Sequence, residues 1–241
     1  MGSISESLRA ELLEHGADIV GFGDMSAVPQ ELRRGLPVGV SVAVKYPKNV
    51  IRGIAELPTA EYFAHYNALN EKLDRIVTSG AEILRGAGYE AIPQTLEYVG
   101  RTGHDYGSAT VPHKTFASRA GIGWIGKCAL LVTREYGSMI RLSSSLTDAP
   151  LDTAEPIDKS LCGECEVCKN ACPAGAVSGR LWSVDVLRDE FFDAVKCRAT
   201  AQERSLLGFG GGDSHNGTVC GKCIYVCPHT QGYLRDEKTG G

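Results

Sequence analysis

The 241-residue sequence contains no run of 18 or more apolar residues, so no segment reads as a membrane-spanning helix. It carries no basic excess either. Its 25 Lys and Arg face 29 Asp and Glu, a formal charge of −4 without the positive surplus that drives binding to phosphate backbones. The opening MGSISESLRAELLEHG is amphipathic and charged where a secretory signal would be apolar, and Arg33-Arg34 is internal with no apolar segment behind it, so no twin-arginine signal is read. These absences predict a cytoplasmic, reducing location without membrane partners. Cysteine is almost missing from the first two thirds, where Cys128 stands alone; eight of the nine cysteines fall at or after Cys162. Disulfides are not expected in a reducing compartment, so such clustering reads as metal binding. The remaining composition, 43% hydrophobic and 22% charged, is that of a folded globular chain.

Regular patterning occupies the first part. Ser3 stands three residues before Glu6, a capping-box spacing, followed by Ile4, Leu8 and Leu12 on one face and Gly16 as a stop, which predicts a first helix. Residues 17–23 read as a buried strand. Val38, Val40, Val42 and Val44 alternate with Gly39, Ser41, Ala43 and Lys45, a strand with one apolar face. Helical spacing between residues 60 and 85 predicts a long helix, with a break near Gly80. Residues 129–133 and 139–146, around Glu135-Tyr136-Gly137, read as a hairpin. Beyond Pro156 cysteine motifs and a glycine-rich stretch from Gly208 to Gly217 take over. The expected organisation is therefore an α+β domain over 1–155 and a small metal-binding domain over 156–241.

Cys162, Cys165, Cys168 and Cys172-Pro173 form C-x2-C-x2-C-x3-C-P. In two-cluster bacterial ferredoxins three such thiolates hold one [4Fe–4S] cube while the fourth crosses to the other cluster. Cys220, Cys223 and Cys227-Pro228 repeat the pattern with one cysteine missing. The crossing rule groups Cys162, Cys165, Cys168 and Cys227 at one cluster. It leaves Cys172, Cys220 and Cys223 at a second, where Cys197 completes the count. Two four-thiolate zinc sites are the alternative reading, since paired C-x2-C elements also serve tetrahedral zinc. Cys128 is left over and reads as a small buried hydrophobe.

Gly121-Ile-Gly123-Trp-Ile-Gly126 matches G-x-G-x-x-G, but a helix-like segment precedes it and a strand follows, the reverse of a dinucleotide site. Asp213-Ser-His215 only partly matches the D-x-H-x-x-G corrinoid motif, its glycine falling one position early at Gly217. His104, Asp105, Tyr106, His113 and Lys114 crowd into eleven residues just before the glycine turn. Proton donors of several classes concentrated in an irregular stretch are expected to line a site.

The run Arg119-Ala-Gly121-Ile-Gly123-Trp124-Ile-Gly126-Lys127, then Glu135-Tyr136-Gly137-Ser138, Thr147-Asp148-Ala-Pro150-Leu151 and the eight-cysteine array, resembles the epoxyqueuosine reductase and reductive dehalogenase group. The resemblance implies a nitroreductase-like α+β domain holding cobalamin, followed by a ferredoxin-like domain with two [4Fe–4S] clusters that feed it electrons. It implies cofactor contacts at Gly121, Gly123, Gly126, Tyr136, Gly137 and Ser138. The group's acidic proton donor aligns with Gly107 here, with Asp105 near, and its G-K-N reads Gly126-Lys127-Cys128.

The expected function is a cobalamin-dependent iron–sulfur reductase of a small molecule, with Asp105, Tyr106 or His113 as proton donor and Lys127 as a polar site residue. A low-potential ferredoxin or flavodoxin would supply electrons. An electron carrier or reductive activator of a corrinoid partner, without substrate chemistry of its own, is the alternative, and a flavin could replace the corrin. With no basic excess, a tRNA substrate is not expected.

Overall fold

The computed structural model describes residues 3–102, 110–212 and 217–236. Along the chain run α1 (Ile4–Glu14), β1 (Ile19–Asp24), β2 (Val38–Lys45), α2 (Lys48–Arg52), α3 (Ala60–Gly86), β3 (Ala91–Pro93), α4 (Leu96–Thr102) and α5 (His113–Arg119). There follow β4 (Trp124–Ile125), β5 (Leu131–Val132), β6 (Ile140–Thr147), α6 (Val167–Ala171), α7 (Ala194–Phe209), α8 (Lys222–Val226) and α9 (Pro228–Arg235). Helix and strand are mixed along the chain. No described helix is long and apolar enough to cross a membrane.

Ser3 caps α1 as its spacing predicts: its hydroxyl accepts from the Glu6 amide while the Glu6 carboxylate accepts from the Ser3 amide. Leu8 and Leu12 then face the sheet. The sheet order is β1-β2-β6-β3, with β1 antiparallel to β2 and β3 antiparallel to β6. One face carries Val20, Phe22, Val40, Val42 and Val44 under α1 and the Leu73–Leu84 stretch of α3.

The opposite face departs from expectation. β2 is buried on both sides, because Gly39, Ser41 and Ala43 are small for a reason. A Cβ on Gly39 would stand 2.6 Å from the Phe116 ring of α5, and one on Gly23 would stand 2.6 Å from the Arg119 backbone. α5 thus lies almost on the backbones of β1 and β2. Gly80 does not break α3 either; a Cβ there would meet Leu12 at 2.9 Å, so the glycine admits α1.

The expected hairpin is not formed. β5 pairs with β4, while β6 joins the main sheet between β2 and β3. Thr133 and Gly137 do exchange both backbone hydrogen bonds, at 2.9 and 3.2 Å, so the chain doubles back at Gly137 and then diverges.

Two compact units result: Met1–Val44 with Ala68–Gly123 and Arg141–Ile157, and Lys45–Asn67 with Trp124–Ile140 and Asp158–Gly241. The boundary read near Pro156 lies beside the last of several crossings. Residues 45–67 are tied to the rest of the second unit by cations that donate to carbonyls in both directions. Arg52 reaches Leu234 O at 2.5 Å, Lys222 reaches Ala55 O at 2.5 Å, and Lys48 and Arg204 bond Asp236 O and Glu56 O. Phe63 stacks on Phe209 at 5.5 Å.

Candidate functional site

The second unit gathers the cysteines. α6 and α8 pack together, and a cavity of about 100 Å³ beside them is lined by Cys162, Cys165, Cys168, Cys223 and Cys227, with Lys127, Cys128 and His229 also in its wall. Four N–H groups, one indole and three backbone amides, serve the sulfurs. The Trp124 indole Nε1–H donates to Cys162 Sγ at 3.3 Å, the Ala176 amide to Cys172 Sγ at 3.4 Å, and the His229 and Thr230 amides at the start of α9 to the Cys227 sulfur. Burial pushes the Cys227 thiol up, opposed by those two amides, and Cys162 and Cys168 stand beside it. Burial likewise raises Cys197 to about 11, with Cys220 and Cys172 as its charged neighbours. Cys227 thus has Cys162 and Cys168 as neighbours, and Cys197 has Cys172 and Cys220. Cys223, grouped with the latter set, lies in the wall of the first cavity, and Cys128 is within hydrogen-bond reach of both Cys168 and Cys223.

These residues fit a multi-iron core by the chemistry of their donors. The array thiols are partly buried, where bound iron would supply positive charge to their thiolates, and N–H···S donors are what stabilise cluster thiolates. A single zinc ion, with bonds of about 2.3 Å to sulfur, needs its ligands to converge on one point. Cys162, Cys165, Cys168, Cys223 and Cys227 instead ring a cavity of about 100 Å³. Lys127, only 4% exposed, brings an ammonium into that wall, with Glu166 as a charged neighbour.

The glycines have local reasons. Gly126 lets the chain pass Cys162, since a Cβ there would lie 3.6 Å from its sulfur and 2.9 Å from Val132. Gly121 has φ +65°, and a Cβ would press on Glu155 O at 3.0 Å; Gly123 is buried. Gly137 has φ +59° and seats α9 directly: a Cβ would stand 2.3 Å from the Thr230 nitrogen. The Ser138 amide donates to Thr230 Oγ1 at 3.2 Å, and Tyr136 meets Tyr233 edge-on at 4.9 Å. Tyr136, Gly137 and Ser138 therefore brace the helix that follows Cys227; of their groups, the Ser138 hydroxyl is buried without a hydrogen-bond partner among the described residues.

His113 lies in the first unit. Its Nδ1 meets Ser144 Oγ at 2.7 Å, and burial, reinforced by the Arg141 charge, lowers its pKa to about 4. It is a neutral imidazole at pH 7, and an imidazolium donor is disfavoured there. It shares a cavity of about 180 Å³ with Arg141, Asp74 and Gln94. Asp105 and Tyr106 lie outside the described residues, as do His104, Asp213 and His215. Nothing in the sequence marks the roles of Trp124, Gln94 and Arg141. Their partners are distant in the chain, and only the Trp124 position inside the glycine turn offered a hint.

No family model matches the chain. Among curated proteins it is 29% identical over 225 residues to the epoxyqueuosine reductase of Salmonella typhimurium, covering 89% of this chain and 54% of that protein. It is 35% identical over 118 residues to that of Listeria monocytogenes, covering 48% of this chain and 29% of that protein. The chain spans about half the length of the first of these relatives. Among solved structures, a catabolic reductive dehalogenase in complex with 3-bromo-4-hydroxybenzoic acid superposes with a TM-score of 0.71 at 19% identity, over 93% of this chain and 31% of that one. An epoxyqueuosine reductase with a tRNA-Tyr epoxyqueuosine-modified stem loop gives 0.60 at 20% identity, over 95% and 65%. A reductive dehalogenase associated with B12-dependent dehalogenation gives 0.68 at 19% identity, over 92% and 31%. The chain is thus related in sequence to epoxyqueuosine reductases, and its fold is shared with them and with reductive dehalogenases. The expectation against a tRNA substrate is corrected by the same findings: a relative of this fold is solved with a tRNA stem loop, and net charge over a whole chain does not report a local binding surface.

Proposed function

We propose that the chain is an iron–sulfur oxidoreductase of the epoxyqueuosine reductase and reductive dehalogenase type, with a ferredoxin-like double-cluster region serving a nitroreductase-like domain that binds cobalamin. The ringed thiols with their N–H···S donors carry the reading. Sequence similarity to epoxyqueuosine reductases and a fold shared with a B12-dependent dehalogenase support the cofactor. Cys162, Cys165, Cys168 and Cys227 would hold one cluster, and Cys172, Cys197, Cys220 and Cys223 the other.

Bound clusters pass electrons singly and a corrin cobalt supplies the two-electron chemistry, while the protein provides orientation, electrostatics and a proton. The Trp124 and α9 N–H groups stabilise the added negative charge at the sulfurs. Lys127 offsets that charge from the cavity wall. Asp105 and Tyr106 are the proposed proton donors; neutral His113 is better suited to hold a hydrogen bond. A low-potential ferredoxin or flavodoxin is the proposed electron source.

The test is turnover by the reduced, cobalamin-loaded chain of an epoxyqueuosine-modified tRNA stem loop and, separately, of small halogenated phenols. Reduction of either supports the reading, and Asp105→Asn or Tyr106→Phe should then keep the iron and lose turnover. Full cluster and cobalamin loading without reduction of either would favour the electron-carrier alternative.

A further inference from the structure

Gln94 follows β3 with its backbone pinned: its amide donates to Ser144 O at 2.9 Å, and its carbonyl accepts from Ser143 Oγ at 3.3 Å. The residue is 1% exposed, yet neither Nε2 nor Oε1 has a hydrogen-bond partner among the described residues. It lines the cavity of about 180 Å³ in the first unit. Several of the neighbouring polar atoms are already engaged. Asn70 Oδ1 accepts from Arg141 Nε at 3.0 Å, both Asp74 oxygens accept from the Leu96 amide at 3.1 Å, and His113 Nδ1 meets Ser144 Oγ. A buried amide with both ends unpaired is costly and rare, so a cavity that keeps one is built around something that enters it.

We propose that this cavity binds a carboxamide or lactam group, which offers one acceptor to Gln94 Nε2–H and one donor to Oε1 side by side. Leu73, Leu96, Val99 and Leu142 form apolar walls for the body that carries the group. The charges around it, Arg141 from β6 and Asp74 from α3 beside neutral His113, are of opposite sign and suit a neutral ligand. A carboxylate would pair with Arg141 but leave Oε1 unmet and face Asp74. Two sources carry this chemistry: the peripheral carboxamides of a corrin, which rests on the cofactor reading above, and a substrate with a lactam edge, which does not.

The full-length reconstituted chain and its Gln94→Leu variant are titrated anaerobically with hydroxocobalamin, and their binding of benzamide and of acetophenone is followed by ligand-observed NMR. Benzamide is expected to bind the wild type and to lose about tenfold or more in the variant, the effect of one well-made polar pair. Acetophenone, which lacks the donor, should bind weakly to both. A parallel loss of cobalamin affinity in Gln94→Leu assigns the corrin amides. Unchanged cobalamin affinity with lost benzamide binding assigns a substrate-type lactam. Wild-type protein that retains no cobalamin but still discriminates benzamide refutes the cofactor reading and leaves the cavity assignment standing. Benzamide and cobalamin affinities both unchanged in Gln94→Leu would overturn the proposal and leave the cavity to water alone. Gln94→Asn, which withdraws the amide by one methylene, should show the same loss and serves if the leucine variant does not fold.

Discussion

The indole Nε1–H of Trp124 donates to Sγ of Cys162 at 3.3 Å, tying the glycine turn to the first cysteine of the metal-binding array. A hydrogen bond to a cluster sulfur favours the more negative, reduced state. Trp124→Phe removes the donor and keeps most of the ring, so it should retain its iron while its first cluster becomes harder to reduce. With about 1 kcal/mol for one such bond and about 59 mV per tenfold change in a one-electron couple, the shift is on the order of 20–40 mV negative. Redox titration followed by electron paramagnetic resonance measures it; an unchanged potential would mean that the contact does not reach the cluster.

The grouping of thiols makes a sharper prediction from two alanine variants. Cys197→Ala should leave about four iron per chain in a single cube, because Cys172 and Cys220 lose their partner. Cys128→Ala should keep about eight, since Cys128 is the ninth thiol, placed between Cys168 and Cys223 without a place in either set. Metal analysis reads both. The reverse pattern would make Cys128 a ligand.

Gly137 tests the brace behind Cys227. Alanine there combines φ +59° with a Cβ 2.3 Å from the Thr230 nitrogen of α9, so backbone strain and overpacking add. The expected loss is about 3 kcal/mol in chemical unfolding, with reduced iron retention at Cys227. A near-neutral substitution would show that α9 can move away without consequence.

Stability should depend on pH through His113. Its folded pKa of about 4 lies below the ordinary value near 6.5, so between those values the unfolded chain binds more protons and stability rises with pH. The contribution is complete above about pH 6.5 and falls as the pH drops toward 4, by about 1 kcal/mol between pH 6.5 and 5.5. Urea unfolding at pH 7 and 5.5 should show a smaller difference in His113→Gln than in the wild type. Equal differences would contradict the buried, neutral imidazole.

Much of this arrangement was readable wherever the determining partners are close in sequence. The Ser3–Glu6 capping box, the β2 alternation and the cysteine spacings are local chemistry, and each reports on its own few residues. Features set by distant partners were not readable. Gly39 looks like a weak point in a strand until Phe116 is seen against it, and Gly80 looks like a helix break until Leu12 occupies its place. The turn at Gly137 was legible as a turn, but not the divergence that sends β6 to the main sheet. Gln94 carries no signal in the sequence at all; its meaning comes from two missing hydrogen bonds in a cavity built by β6, α3 and α4.

The central claim is most directly tested by anaerobic reconstitution of the chain with iron, sulfide and hydroxocobalamin, followed by desalting, metal analysis and absorption spectroscopy. About eight iron and one cobalt per chain, with the broad visible absorption of [4Fe–4S] clusters, is the predicted result. Zinc bound in preference to iron, or eight iron with no retained cobalt, would contradict the proposal of a cobalamin-dependent iron–sulfur reductase.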